Sequence, residues 1–312
     1  MTSTKPSHRS LGHSGIEVSV VGLGCNNFGR RLDLDGTRAV VDACLAEGID
    51  FFDTADIYGG GGASEELLGQ ALDGRREQIV LATKFGMAMP DPPAPGPRGS
   101  AEYIAKAVQD SLRRLRTDVI DLYWYHRPDG VTPIKETLGA LHELVKAGTI
   151  RAIGASNFSA KQIDEADRAA RDNGLTRFTA IQNEYSLLGR EAEANVIPAC
   201  ERLDIAFIPY FPLASGLLTG KYRRGEAGPE GSRLSGRDRI ATDEQFDLIE
   251  ALEGYAAQRG LRLVDVAIGA LLARSPAVAS VIAGATKPEQ VQSNAQAARS
   301  SIDLSALDAI LP

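Results

Sequence analysis

The chain has 312 residues, room for two average domains or one large α/β barrel. Its composition, 43% hydrophobic and 24% charged, is that of an ordinary globular protein, and a formal charge of -7 argues against binding a phosphate backbone. Nucleic acid is therefore not expected as a partner. The most apolar stretch, "LVDVAIGALLA", is too short to span a bilayer, and "MTSTKPSHRSLGHSG" lacks the apolar core of a secretory signal. Cys25, Cys44 and Cys200 lie far apart with no CxxC pair, as expected of reduced thiols in a cytoplasmic protein without a metal site.

In chain order, eight β-rich runs alternate with helical patterns. They are "VSVVGLG" (18–24), "IDFFDT" (49–54), "QIVLATK" (78–84), "VIDLYWYH" (119–126), "IRAIGAS" (150–156), "FTAIQNE" (178–184), "IAFIPYF" (205–211) and "VASVIAG" (278–284). Most are continuous apolar stretches, the mark of strands buried on both faces. After the first run, "GLGCNN" supplies Gly22 and Gly24, but Asn27 stands where a dinucleotide fingerprint needs its third glycine. After the second, the glycines at 59–62 are not followed by Lys-Ser/Thr, so no phosphate loop of that kind is present. An open doubly wound sheet is disfavoured on both counts.

The third run leads into "GMAMPDPPAPGPRGS" (86–100), too long for a simple connection. From Ser100, a fair N-cap with Glu102 in the first turn, Ile104, Ala107, Val108, Leu112 and Leu115 share one helical face. Thr132-Pro133 predicts an N-cap followed by proline at the first helical position, and Ser159 with Gln162 predicts a capping box. Between the seventh and eighth runs come "YRRGEAGPEGSRLSGRD" (222–238) and two helical stretches, 242–259 and 263–274, one of them extra. Arg223, Arg224, Arg233 and Arg237 suggest that 222–238 is a basic flap.

Eight β/α modules predict a (β/α)8 TIM barrel forming a single domain over residues 1–312. In such a barrel every strand ends at one face, where the chemistry gathers. Polar or aromatic residues recur there: Asp53, Lys84, His126, Ser156-Asn157, Gln182-Asn183 and Tyr210 end six consecutive runs.

These residues lie within longer motifs, "GIDFFDTADIYGGGGASEELLGQAL", "IVLATKFG", "DVIDLYWYHRPD", "IRAIGASNFS", "AIQNEYSLL", "IPYFPLASGLLTGKY" and "VIAGATKPEQVQSN". In this order they resemble the successive signatures of the aldo-keto reductases, in particular the bacterial, potassium-channel β-subunit-like branch. The resemblance implies a barrel that binds NADP(H), with NAD(H) as the alternative, and reduces a small-molecule carbonyl to an alcohol. It makes Asp53, Tyr58, Lys84 and His126 the catalytic tetrad. Tyr58 would donate the proton, Lys84 would lower its pKa, Asp53 would orient Lys84, and His126 would position the substrate oxygen.

The resemblance also distributes the cofactor contacts. Ser156, Asn157 and Gln182 match residues that hold the nicotinamide carboxamide, and Tyr210 the aromatic on which the ring stacks. Leu213, Ser215, Leu217 and Lys221 match a loop along the pyrophosphate. Gly284, Thr286, Lys287, Gln290 and Asn294 match positions near the adenosine end, although some family members carry basic residues where Gly284 and Gln290 stand. Asn27, Phe28, Trp124 and the segment 86–100 are expected to shape the substrate pocket, and the basic flap 222–238 to close over bound cofactor. Two other functions fit the resemblance: a sugar or alcohol dehydrogenase of the same fold, and a nucleotide-binding regulatory subunit that senses redox state. Substrate and oligomeric state do not follow from the sequence.

Overall fold

The computed structural model describes residues 6–89, 91–236 and 240–312. Among them, a short antiparallel hairpin, β1 (His8–Ser10) and β2 (Glu17–Ser19), precedes eight parallel strands. These are β3 (Val21–Gly24), β4 (Phe51–Asp53), β5 (Val80–Phe85), β6 (Ile120–Tyr125), β7 (Ile150–Ser156), β8 (Ala180–Gln182), β9 (Ala206–Phe207) and β10 (Val281–Gly284). Their order is β10-β3-β4-β5-β6-β7-β8-β9, and the two ends of that order meet. Phe207 bridges Val278 and Tyr210 bridges Ile282, both in the parallel sense, and Ile282 N donates to Pro209 O at 3.0 Å. The sheet curls into the expected (β/α)8 barrel.

The helices follow the strands: α1 (Leu34–Glu47), one irregular turn α2 (Tyr58–Gly61), α3 (Ala63–Ala71), α4 (Ala101–Leu115), α5 (Ile134–Lys146) and α6 (Ala160–Asp172). The second half adds α7 (Ala192–Leu203), α8 (Asp243–Gln258), α9 (Leu263–Arg274), α10 (Pro288–Ala297) and α11 (Leu304–Asp308). The predicted face of α4 is buried at Ile104, Ala107, Val108 and Leu115, with Leu112 packed at its edge. Ser100 accepts from Tyr103 N at 3.4 Å, and the Ser159–Gln162 capping box is complete. Such caps stabilise a helix by about 1 kcal/mol each.

Two expectations need correcting. The first run, 18–24, is two strands, because the chain bends at Val20. Its first half pairs back on 8–10, and this hairpin carries Leu11, Ile16 and Val18 into the barrel against Phe51, Ala82, Leu122 and Ala180. The lead is thus the plug of the barrel's N-terminal end, a role that depends on contacts far along the chain. Thr132 does not cap α5; Pro133 occupies the cap position without a side-chain bond. Thr132 Oγ1 instead donates to Asp129 Oδ2 at 2.7 Å.

Asp129 gathers the two loops that follow β5 and β6. Its carboxylate accepts from Gly99 N at 2.8 Å, Val131 N at 3.0 Å and Thr132 N at 2.9 Å, besides Thr132 Oγ1. Burial alone would push this carboxyl up, but the bonds from Thr132, Gly99 and Val131 outweigh it and hold it well below the usual carboxylate range. A depressed carboxyl stabilises the fold above its unfolded pKa of ~4 and loses that contribution as pH falls further. Asp129→Asn is therefore expected to destabilise the protein at pH 7, with the difference from wild type shrinking below about pH 4. Urea unfolding at a series of pH values checks this; a constant difference would remove Asp129 from the acid response.

Candidate active site

Asp53 closes β4, Lys84 lies in β5 and His126 follows β6, so three adjacent strands deliver them to the barrel's C-terminal face. Beyond Asp53 the sheet hydrogen bonding continues, with Thr54 N donating to Ala82 O at 2.9 Å and Asp56 N to Lys84 O at 3.0 Å. The chain then turns at Tyr58 through Gly59, Gly60, Gly61 and Gly62, all with φ between 73° and 113°. L side chains rarely adopt such values, and a Cβ on Gly59 would stand 2.9 Å from Ala63 Cβ and 3.0 Å from Phe28 O. The glycine run thus lets the chain reverse tightly enough to swing Tyr58 over the strand ends.

Lys84 Nζ donates to Asp53 Oδ2 at 2.5 Å and to Thr54 O at 2.8 Å, and it lies 5.0 Å from the centre of the Tyr58 ring. The Tyr58 and His126 rings meet edge to face at 5.9 Å and 86°. The four residues are therefore one cluster: a buried ion pair with a phenol and an imidazole above it. Burial alone would lower the Lys84 ammonium, yet Asp53 and then Tyr58 outweigh it and hold Lys84 above its ordinary value. Burial pushes the Asp53 carboxyl up against the pull of Lys84.

Burial also raises the Tyr58 phenol, and Lys84 pulls it back only in part. The lowering expected from Lys84 is real in sign and smaller than the desolvation it opposes. For His126, burial, Lys84 and Arg127 all act in one direction and hold the imidazole well below its ordinary value.

Above the cluster opens a cavity of about 550 Å³. Its wall includes Asp53, Tyr58 and His126, whereas Lys84 stands behind them without exposed surface. Ser156, Asn157, Gln182 and Tyr210 line it. Tyr210 donates its hydroxyl to Asn157 Oδ1 at 2.8 Å, and Asn157 Nδ2 donates to Ser156 Oγ and His126 O, both at 3.0 Å. Gln182 Nε2 is buried without a hydrogen bond among the described residues. A buried amide of this kind calls for a polar ligand atom.

Further along the wall come Leu213, Ser215 and Lys221, then Gly284, Thr286, Gln290 and Asn294. Phe211 and Ser215 hold φ of 55° and 58°, and Asn157 holds 62°. Strained backbone of this sort costs roughly 1–3 kcal/mol a residue and gathers where a ligand is clamped. Gln290 Oε1 accepts from Thr286 N at 2.7 Å, which places both beside the start of α10.

Four expected contacts are absent from the wall. Leu217 is packed in the core, and Lys287 is exposed just outside. Asn27 does line the cavity, with its Nδ2 donating to Ala285 O at 3.2 Å, but its neighbour Phe28 is fully buried. Trp124 also has no exposed surface and lies inside the barrel beside Lys84. A residue at a strand end faces either the barrel interior or the helices, and the motif alone did not say how deep its side chain sits.

The cavity also takes in Met87 and Arg233 from the two long loops, and Asn26, Arg31, Arg127 and Ser293, which the sequence reading did not assign to it. Arg127 adjoins His126, so its place at the mouth was the most accessible of these. The flap is only partly what its arginines suggested. Arg233 lines the cavity and lies 4.6 Å from the centre of the Phe211 ring. Arg223 and Arg224 turn outward, pairing with Glu253 at 2.8 Å and Asp247 at 2.5 Å on α8. Arg237 lies outside the described residues.

A family model described as "Aldo/keto reductase family" matches residues 20–311. The chain belongs to the aldo/keto reductase family. Among its relatives, a "Probable voltage-gated potassium channel subunit beta" of Arabidopsis thaliana is 36% identical over 93% of this chain and 90% of that protein. A "Probable aldo-keto reductase 1" of Glycine max is 35% identical over 94% and 85%. An "Uncharacterized oxidoreductase YrpG" of Bacillus subtilis (strain 168) is 36% identical over 94% and 91%. Family and relatives together support an oxidoreductase with the branch affinity that the motifs suggested.

The environment of His126 has a measurable consequence. With its folded pKa held down, the imidazole stays neutral as pH falls through ~6.5, where an unfolded histidine takes up a proton. His126 therefore costs the fold stability progressively below that pH. Histidine ring NMR is expected to show no protonation of His126 between about pH 7.5 and 5.5. An ordinary titration near 6.5 would mean that the site is wetter than its geometry indicates.

Proposed function

We propose that this protein reduces aldehydes or ketones to alcohols, reversibly, with NADP(H) as the hydride carrier and Tyr58 as the proton donor. The observation that carries the reading is the edge-to-face meeting of Tyr58 and His126 at the floor of the cavity, over the buried Asp53–Lys84 pair. Ser156, Asn157 and Gln182 would hold the carboxamide of a nicotinamide nucleotide, and Tyr210 would carry its ring. When bound, the nucleotide supplies the hydride.

The chain's residues handle the oxygen. Neutral His126 can donate one N–H to the carbonyl oxygen, fixing its position and drawing charge onto it. Tyr58 then gives its phenolic proton to that oxygen. The phenolate left behind faces the Lys84 ammonium, which offsets the charge without solvent. Asp53 keeps the ammonium in place, and its own charge keeps that lysine from losing its proton. In the reverse direction the phenolate takes the alcohol proton back, so oxidation favours higher pH.

The relatives named as potassium channel subunits motivate a second reading, a nucleotide-binding redox sensor. Turnover of an activated aldehyde by the purified protein separates the two, since a sensor binds nucleotide without sustained catalysis. A sugar or alcohol dehydrogenase using NAD(H) or NADP(H) is distinguished by its preferred direction and nucleotide.

Tyr58→Phe removes the proton at nearly constant ring volume. NADPH binding is expected to survive while turnover falls by the ~10²–10⁴ typical of an acid–base group. Lys84→Met should lose a comparable factor, and the two losses should not add because both act on one proton transfer. Retention of more than about a tenth of wild-type turnover by Tyr58→Phe, under conditions where chemistry limits the rate, would point to another acid.

Nucleotide choice rests on Lys287, exposed beside Thr286 and Gln290 at the far end of the cavity. A charge-assisted contact with a 2′-phosphate is worth roughly ten- to a hundredfold in affinity. Lys287→Ala is expected to weaken NADPH binding by about that factor and leave NADH nearly unchanged, as read by fluorescence titration. Equal wild-type affinity for NADH and NADPH would overturn the NADP(H) assignment.

A further inference from the structure

Three buried polar atoms beside the ion pair form no hydrogen bond among the described residues: Asp53 Oδ1, Gln182 Nε2 and Trp124 Nε1. One accepts and the other two donate. Their residues are 3%, 2% and 0% exposed, so bulk water does not satisfy them. The orientation of Trp124 is fixed by its neighbours in the sheet, Lys84 on β5 and Gly154 on β7. The Cε3–Cζ3 edge of the indole lies over Gly154, where a Cβ would come within 2.4 Å of both atoms. Nε1 lies on the opposite edge of the ring system. The N–H therefore faces away from β7, back toward the strands that carry Lys84 and Asp53. Gln182 and Trp124 both lie near enough to Asp53 to favour its ionised form, although neither N–H reaches Oδ1 with hydrogen-bond geometry.

We propose that Trp124 is a positioning residue, whose indole N–H holds Asp53 Oδ1 when Gln182 turns its amide to the nicotinamide carboxamide. This rests on the reading of Gln182 given above. Gln182 lines the cavity and Trp124 does not, so a ligand can recruit the first donor and leave the second to the carboxylate. Without that second donor the Asp53 carboxylate becomes more basic and draws the shared proton away from Lys84. Tyr58 then sees less positive charge, and its phenol ionises less readily.

The other titratable groups facing the pair are Tyr58, Asp56 just before it in the chain, Cys25 at the end of β3, and His126 with Arg127 beyond it. Burial holds Cys25 as the thiol and His126 as the neutral imidazole. Burial pushes the Asp56 carboxyl up to about 8 and holds the Tyr58 phenol above its ordinary ~10, so a shift in a limb above that pH reports on Tyr58.

Trp124 is the chain's single tryptophan, so its indole N–H gives one resonance in ¹⁵N-labelled wild-type protein. Saturating NADP⁺ is expected to move that resonance downfield and slow its exchange with solvent. Trp124→Phe keeps an aromatic ring and removes the N–H. NADPH affinity should stay within about twofold, while turnover falls by about tenfold, the scale of one hydrogen bond to a charged group. The alkaline limb of aldehyde reduction, where Tyr58 loses the proton it donates, should rise by about half a pH unit or more.

A loss of packing alone would lower turnover or stability without moving that limb. If nucleotide binds and aldehyde is turned over while the indole resonance stays in place, the proposal falls and the catalytic reading stands. An unmoved alkaline limb in a folded Trp124→Phe also overturns it. Should that variant fail to fold, the wild-type resonance decides by itself. If the nucleotide does not bind, both readings fall together.

Discussion

A lysine ammonium without exposed surface, 2.5 Å from a carboxylate that is itself almost wholly buried, is the constraint around which this barrel is organised. Each such ion forfeits several kcal/mol of hydration, and removing one would strand the other. The pair is tolerable only if the strands keep both ends in register. Asp53 is opposite Ala82, and Lys84, two residues beyond Ala82 along the same strand, is opposite Trp124, so the longer lysine reaches back across the strand to the carboxylate. The same low-dielectric surroundings that make the pair costly let Lys84 act strongly on a phenol 5.0 Å away.

The surroundings of the pair are correspondingly rigid in some places and strained in others. Ala82, Ala152, Ala180, Ala206 and Ala279 give the barrel interior small walls, and the Trp124 indole fills the space over Gly154. At the mouth, positive φ at Asn157, Phe211 and Ser215 shows where the backbone has been shaped for something other than stability. The hairpin plug and the Asp129 junction hold opposite ends of the same barrel, one by apolar packing and the other by a carboxylate that collects four donors.

Charge is distributed against the average of the molecule. The whole chain carries -7, yet among the described residues that line the cavity only Asp53 is acidic, and it is paired with Lys84. Arg31, Arg127, Lys221 and Arg233 line it as well. A concave wall of that sign raises the local concentration of anions such as nucleotide phosphates, so a negative protein can still attract a negative ligand to this one place.

The sequence by itself determined the barrel, because eight apolar runs separated by amphipathic segments have few other ways to bury both faces of each strand. It also placed Asp53, Tyr58, Lys84 and His126 at one face, since parallel strands all end on the same side. Caps at Ser100 and Ser159 were legible because they depend on bonds within a few residues. What needed three dimensions was depth and distant pairing. The hairpin closes the barrel through contacts with strands far along the chain. Thr132 abandons a cap for the nearby Asp129, whose carboxylate is held in place by Gly99 from the preceding connection. Phe28 and Trp124 carry the right chemistry for a pocket wall but sit behind it, and the net rise of the Tyr58 phenol follows from burial. Desolvation depends on how many neighbours surround a group from every direction, and a linear spacing of residues does not contain that number.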